Sequence, residues 1–163
     1  MRNLVIIAAA LLSLTLPSSV AAQDFDRGVS AYNDGDYPTA LREFRLAAEQ
    51  GHASGQIYLG FMYEAGQGVP QNYAEAARLY RLAAEQGLAS AQYNLGVIYY
   101  NGQGFPQNHQ FAYMWFSLAA AKGDEGAASA RDRAAGRMTR EQIARAQQLA
   151  SECLARDYQG CAQ

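Results

Sequence analysis

The sequence predicts an all-α fold, a right-handed α-solenoid of helix-turn-helix repeats with a C-terminal capping helix. The first observation is a period, because residues 82–87 (LAAEQG) repeat residues 46–51 after 36 positions and residues 118–123 (LAAAKG) follow after another 36. The second is that apolar residues within each unit recur at helical spacing, and the third is that glycine and proline mark the unit boundaries. Such a period is typical of solenoids, in which each unit buries its apolar face on a neighbour.

A leader of 22 residues is expected ahead of the repeats. Residues 1–3 give a short positive start, residues 4–16 an apolar run, and residues 20–22 a small-residue segment before Gln23. This pattern is typical of a secretory signal peptide, and the run is shorter than the roughly 20 residues that span a bilayer. We therefore expect a mature chain of residues 23–163 with no membrane span, periplasmic or secreted, in a bacterium.

Three helix pairs are expected in residues 23–124, in units of about 25–51, 53–87 and 89–123. Their first helices are predicted near residues 24–33, 53–65 and 89–100. The second helices carry apolar i, i+3, i+4, i+7 stripes that start at Tyr37, Tyr73 and Ala112. Asn72, three positions before Glu75, is a predicted N-cap. The predicted C-terminal stops are Gly51, Gly87 and Gly123.

Five tyrosines recur at repeat positions and are predicted to be buried, with their hydroxyl groups at the rim of the core. They are Tyr37, Tyr63, Tyr73, Tyr80 and Tyr99. The segments 66–68 and 102–104 (both GQG) lie between the two helices of a unit, and their glycines are predicted to supply positive φ in a turn. They lack the further glycine and the Lys-Ser/Thr of a phosphate-binding loop.

The period fades after Gly123, and residues 125–163 are interpreted as a helical cap. A helix is expected near residues 125–135, and a last helix begins at Thr139, which has capping-box spacing to Gln142. The apolar stripe of this last helix comprises Ile143, Ala146, Leu149, Ala150, Cys153 and Leu154. A polar outer side on a terminal unit prevents end-to-end association. The alternative is that this amphipathic helix binds a partner.

The two cysteines, Cys153 and Cys161, are separated by seven residues at the C-terminal end. An even pair this close in an exported protein suggests one disulfide that ties the tail to the last helix. The rival interpretation is a redox-active pair, which usually has C-x-x-C spacing beside a strand-helix unit. Neither feature is present in the sequence.

Charge and motif content argue against nucleic-acid binding and against catalysis. The net charge is −2 and Lys122 is the single lysine, so no basic face for phosphates is expected. Arginines gather between residues 131 and 145, but acidic residues interrupt them, which favours a solvated helical face over an anion patch. His52 and His109 lack partners at metal-ligand or catalytic spacing. We therefore predict no catalytic residues, no metal, no cofactor and no enzyme activity.

The segment 89–123 resembles a Sel1-like repeat. Its opening is formed by Ala89, Ala91, Tyr93, Asn94, Leu95 and Gly96, and a Gly-x-Gly-x-Pro loop and an Ala-Ala-x-x-Gly end follow. Residues 53–87 form a second full copy, and residues 25–51 have a shorter turn and are more similar to a tetratricopeptide hairpin. The resemblance covers roughly residues 25–123.

The resemblance implies a binding scaffold whose ligand groove is the concave face made by the first helices. It places eight residues there: Tyr32, Ile57, Phe61, Glu64, Tyr93, Val97, Tyr100 and Asn101. The residue type at one position varies between units, as at Ile57 and Tyr93, which a recognition surface would show. The competing interpretation is that some of these residues contact only the next helix or the cap. We expect a noncatalytic adaptor of the cell envelope, monomeric alone, for a protein or peptide partner.

Two other functions stay open at this stage. Cysteine-rich relatives of this repeat family have been linked to penicillin binding and weak β-lactam hydrolysis, which suggests an envelope enzyme or drug-binding protein. Those relatives carry a cysteine pair in each repeat, and this chain has no cysteine between residues 23 and 152. The second alternative is a structural oligomer that stacks through the ends of its repeat array.

Overall fold

The computed structural model describes residues 18–161, with side chains from Phe25 onward. Over this range the chain forms eight α-helices and no strand. They are α1 (Ser18–Asn33), α2 (Tyr37–Glu49), α3 (Ala53–Ala65), α4 (Tyr73–Glu85), α5 (Ala89–Asn101), α6 (His109–Ala121), α7 (Glu125–Ala135) and α8 (Arg140–Ala155). Helix α1 starts earlier than predicted, and residues 1–17 of the predicted leader lie outside the described range.

The helices stack as the period predicts. Helices α1 and α2, α3 and α4, and α5 and α6 pack as three hairpins, and each second helix also packs on the next first helix, so that α7 lies on α6. The predicted α-solenoid is confirmed. Helix α8 departs from this scheme because it packs on α6 and makes little contact with α7.

Local capping chemistry sets the helix ends. The Asn72 side chain accepts a hydrogen bond from Glu75 N at 3.1 Å, and Asn108 does the same for Phe111 N at 3.0 Å one repeat later. At Thr139 both hydrogen bonds of the predicted capping box to Gln142 are present. The residues after the second helices are glycines with φ between +81° and +89°, a region that favours glycine: Gly51, Gly87 and Gly123. The predicted caps at Asn72 and Thr139 and the predicted glycine stops are therefore confirmed.

A glycine of each first helix lies directly against an aromatic ring of its second helix. A Cβ atom on Gly96 would be 2.6 Å from Cε1 of Phe116, and one on Gly60 would be 2.8 Å from Cε1 of Tyr80. The shorter first unit repeats the contact between Gly28 and Phe44, at 2.7 Å. Since real Cβ atoms do not approach other atoms this closely, only glycine allows the two helices of a unit their observed spacing.

The prediction for the five repeated tyrosines holds for two of them. Tyr80 and Tyr99 are buried, and their hydroxyl groups contact Glu64 and Arg81. The other three are half-buried, so less of each ring is buried than predicted: Tyr37, Tyr63 and Tyr73. Tyr37 and Tyr73 sit at the starts of α2 and α4, where their hydroxyl groups accept hydrogen bonds from loop glutamines, which holds the rings near solvent.

One carboxylate is fully buried between α1 and α2. Oε1 of Glu43 accepts hydrogen bonds from Arg27 and from Arg42, whose Nη2 lies at 2.8 Å, and both arginines are largely exposed. Burial alone would raise the pKa of Glu43, but the hydrogen bonds and charges of the two arginines outweigh it and hold that pKa below its usual value. The ionised Glu43 side chain of α2 thus connects the first two helices through its contact with Arg27 of α1.

The C-terminal segment is closed by the predicted disulfide. Cys153 in α8 and Cys161 in the tail are bonded, with Cα atoms 5.4 Å apart, and both are buried. They belong to the same core as Trp115 and Leu118 of α6. The predicted apolar stripe of α8 is largely buried, but Leu154 is 48% exposed, because α8 packs mainly on α6 and this position turns away from it.

We expect Gly96→Ala to destabilise the protein by about 1–3 kcal/mol, because the added methyl group must displace the Phe116 ring in a filled core. Urea denaturation followed by circular dichroism measures the free energy of unfolding. Gly136→Ala is the matched control, since Gly136 has φ −62° and a Cβ there would meet no atom closer than 3.5 Å. A Gly96 variant as stable as this control would contradict the close-approach argument.

We expect Glu43→Gln to reduce stability at neutral pH by about 1–3 kcal/mol, because a buried amide replaces an anion that accepts from two arginines. The folded pKa of Glu43 lies below the unfolded value of about 4.3, so its stabilising contribution is present above pH ~4.3 and is lost as the pH falls through the folded pKa. The variant should therefore lose less stability than the wild type in this acidic range. Glu49→Gln, on the exposed part of α2, should keep the wild-type pH profile.

Reduction of the Cys153–Cys161 bridge should lower the free energy of unfolding by about 2.5 kcal/mol, the loop-entropy value for a ring of about nine residues. Thermal denaturation with and without a reducing agent measures this difference. The double variant Cys153→Ala/Cys161→Ala should match the reduced wild type and should not respond to reductant. Equal stability of the oxidised and reduced wild type would show that the bridge does not constrain the unfolded chain.

Candidate partner-binding surface

The eight residues predicted for the groove all lie on the first helices, α1, α3 and α5. The structure brings four of them together around one cavity at the C-terminal end of the array and leaves the other four nearer the N-terminal end. The C-terminal four are Tyr93, Val97, Tyr100 and Asn101. The N-terminal four are Tyr32, Ile57, Phe61 and Glu64.

The cavity of the C-terminal group lies where α5, α6 and α7 meet and measures about 210 Å³. It is lined by Tyr93, Val97, Tyr100, Asn101, Phe116, Ala130 and Arg133. The rings of Tyr93 and Phe116 lie 5.6 Å apart, and the Tyr100 ring lies 5.2 Å from that of His109. Aromatic contacts on the protein side thus fix the walls of the cavity before any partner arrives.

The rim of this cavity carries two polar groups. The Asn101 amide is exposed and donates a hydrogen bond to Oε1 of Gln103 at 3.2 Å, and the Arg133 guanidinium, on α7, is exposed as well. Arg133 was predicted to lie on a solvated face and Phe116 in a core stripe, so neither was predicted as a cavity residue. Helical periodicity places Arg133 on an outer face of α7. It does not show that this face and α5 line the same cavity.

In the N-terminal group, Tyr32 and Phe61 contact each other across α1 and α3. Their ring centroids are 6.3 Å apart in an edge-on arrangement, and Phe61 is 44% exposed. The Tyr32 hydroxyl donates to Oε1 of Gln67 at 2.6 Å, and burial raises its pKa despite that hydrogen bond. The Tyr32 ring is therefore held by its own contacts, and Phe61 is the aromatic group of this pair that solvent reaches.

Ile57 and Glu64 are partly engaged in packing. Ile57 is half-buried against the larger apolar core. Glu64 accepts a hydrogen bond through Oε2 from the Tyr80 hydroxyl at 2.7 Å, and burial raises the pKa of Tyr80 far above its usual value, so the hydroxyl remains a donor. One carboxylate oxygen of Glu64 thus has a partner inside the protein, as the competing interpretation of these residues expected.

The histidines have structural positions. His52 is the N-cap of α3, where its Nδ1 accepts a hydrogen bond from Gly55 N at 3.3 Å, and His109 is the first residue of α6. Within residues 18–161, no cluster of three or more histidine, cysteine or acidic side chains is arranged to hold a metal ion. None of the helices described combines the length and the hydropathy that a bilayer crossing requires.

Comparison with known proteins identifies the repeats. The family model described as "Sel1 repeat" matches residues 28–52, 53–88 and 89–124, more than half of the chain. The chain is similar to a crystal structure of c5321, described as a protective antigen of uropathogenic Escherichia coli strains with an SLR fold, at a TM-score of 0.79 and 28% identity. That match covers 85% of this chain and 31% of the antigen.

A second solved structure, a Sel1 repeat protein from Oxalobacter formigenes, matches at a TM-score of 0.62 and 34% identity. This match covers 69% of this chain and 88% of that protein. No curated protein sequence matches the chain significantly. The repeat period, the three matched repeats and the shared helix-pair architecture agree, and the chain belongs to the Sel1 repeat family.

Proposed function

We propose that this protein is a noncatalytic adaptor of the cell envelope that binds a protein or peptide partner through its first-helix face. The observation that carries the proposal is the cavity at the junction of α5, α6 and α7, which gathers four of the eight residues expected for recognition. Sel1 repeats are commonly protein-interaction scaffolds, which supports the general class of function.

The size of the cavity favours, as its occupant, a single side chain of a partner protein over a small-molecule substrate. Pockets for small molecules usually measure ~300–1,000 Å³, and a cavity of about 210 Å³ falls below that range. Its aromatic and aliphatic walls suit one apolar anchor of a larger partner, and exposed Phe61 lies on the same set of first helices. Partners of this kind gain most of their binding energy from a few such anchors.

The polar rim suggests the chemistry beside that anchor. The Arg133 guanidinium can pair with a carboxylate or a backbone carbonyl, and the Asn101 amide can both donate and accept. In a partner segment with an apolar side chain next to an acidic residue, the apolar side chain would fill the cavity and the acidic residue would pair with Arg133 at its rim. Because the surface is already ordered by packing within the protein, most of the ordering would occur in the partner.

The disulfide supports an exported location. Disulfides persist in oxidising compartments, and the Cys153–Cys161 bridge fits a protein that leaves the cytoplasm. This agrees with the predicted leader at residues 1–22 and with a periplasmic or secreted mature chain.

Photocrosslinking tests the site. A photoreactive amino acid at Asn101, on the cavity rim, should capture a partner from envelope extract, and the same group at Leu46, on a second helix and 40% exposed, should not. Adding Val97→Asp should reduce capture from position 101 by about tenfold or more, because a charge replaces an apolar wall. Circular dichroism controls for folding.

Equal capture from positions 101 and 46, or capture that Val97→Asp leaves unchanged, would rule out the cavity as the binding site. In the same extract, hydrolysis or retention of a reporter β-lactam would favour the enzymatic alternative.

A further inference from the structure

The opposite side of the array, formed by the second helices, carries an open depression. It lies between α2, α3 and α4 and measures about 330 Å³. We call it the outer groove and define it by Ala48, Leu59, Tyr63, Arg78, Leu79 and Leu82, which contribute to its lining. Leu82 is 38% exposed and is the large aliphatic side chain of this groove that solvent reaches.

One repeat later the same helix edge is fully covered. Met114 and Leu118 of α6 occupy the repeat positions of Arg78 and Leu82, and each is only 1% exposed. Trp115 and Leu79, which share a repeat position, are both buried, so the difference lies at the other two positions. The surface is therefore open between the first and second helix pairs, and the equivalent surface is covered between the second and third pairs, where α6 forms its edge.

The element that fills it is the chain's own C-terminal helix with its disulfide-bonded tail. Helix α8 packs on α6, where Gln110 Nε2 donates to Gln142 O at 3.5 Å and Gln147 Nε2 donates to the Tyr113 hydroxyl at 3.3 Å. In the tail, Gln159 Nε2 donates to Glu85 O of α4 at 3.1 Å. This segment thus bridges α6 and the end of α4.

The docked face of α8 shows what such a surface accepts. Its buried residues are small, namely Ala146, Ala150 and Cys153, with half-buried Ile143 and Leu149 beside them. Small residues at i, i+4 and i+7 let the helix axis approach closely while larger aliphatic groups flank the contact. The apolar character of this face matches Met114 and Leu118 below it.

We propose that the outer groove docks an amphipathic helix of a partner protein, in the manner in which α8 docks on the equivalent edge of α6. The apolar stripe of that helix would cover Leu82 and half-buried Tyr63, above a floor formed by the buried Leu59 and Leu79. The end of the partner helix that lies over Glu75 and Arg78 would be polar. Arg78 donates two hydrogen bonds to the Glu75 carboxylate (2.7 and 2.9 Å), whereas α6 has Phe111 and Met114 at these positions. This site is separate from the cavity on the first helices.

The chain supplies its own probe for this test. A fluorescent peptide of residues 139–161 with its disulfide formed carries the docked face of α8, and in the mature protein the α6 edge is already occupied. Saturable binding measured by fluorescence anisotropy therefore reports the outer groove. We expect Leu82→Glu to weaken binding about tenfold or more. Leu46→Glu, at the same repeat position one unit earlier and outside the groove, should have no effect.

A gain-of-function variant completes the design. Glu75→Phe/Arg78→Met recreates the α6 edge on α4 and should bind the peptide several-fold more tightly than the wild type. Three outcomes would overturn the proposal: no saturable binding to the wild type, equal losses for Leu46→Glu and Leu82→Glu, or a Leu82-dependent dimer in sedimentation experiments. The last would assign the groove to a second copy of this chain.

Discussion

The contact between a first-helix glycine and a second-helix aromatic ring sets the geometry of every repeat. It occurs at Gly60 with Tyr80 and at Gly96 with Phe116, and the shorter first unit has it as well. Because the ring occupies the volume that a Cβ atom would need, this contact sets how closely the two helices of each hairpin approach. Its recurrence in each unit allows successive hairpins to stack in phase.

Local signals in the sequence were sufficient for the helices and their ends. Asn72 and Thr139 were identified as caps from the residues three positions after them, and the structure has those hydrogen bonds. Contacts between distant residues were harder to predict. Arg133 lines the cavity because α7 packs on α6, next to the part of α6 that contacts α5. The burial of Glu43 as an anion depends on Arg27, which is 16 residues away in the sequence and lies across the first hairpin.

The predicted recognition residues illustrate the same limit. Repeat position alone placed Glu64 and Tyr100 on the same face, but Glu64 is hydrogen-bonded to Tyr80, whereas Tyr100 borders a cavity. The difference arises in the neighbouring second helix, where a tyrosine at position 80 can reach the carboxylate and a phenylalanine at position 116 has no hydroxyl. A period shows which residues share a face, and the chemistry of their neighbours decides which of them are available to a partner.

A chain made of similar units must also specify where its terminal helix belongs. Helix α8 could in principle slip back by one unit and settle on α4, which would leave α6 bare and produce a misassembled array. Phe111 and Met114 favour the position on α6, because their counterparts Glu75 and Arg78 would place an ion pair beneath the apolar face of α8. Two residue differences between otherwise similar helices therefore determine which unit the C-terminal helix packs on. They make the arrangement with α8 on α6 lower in energy than the one with α8 on α4.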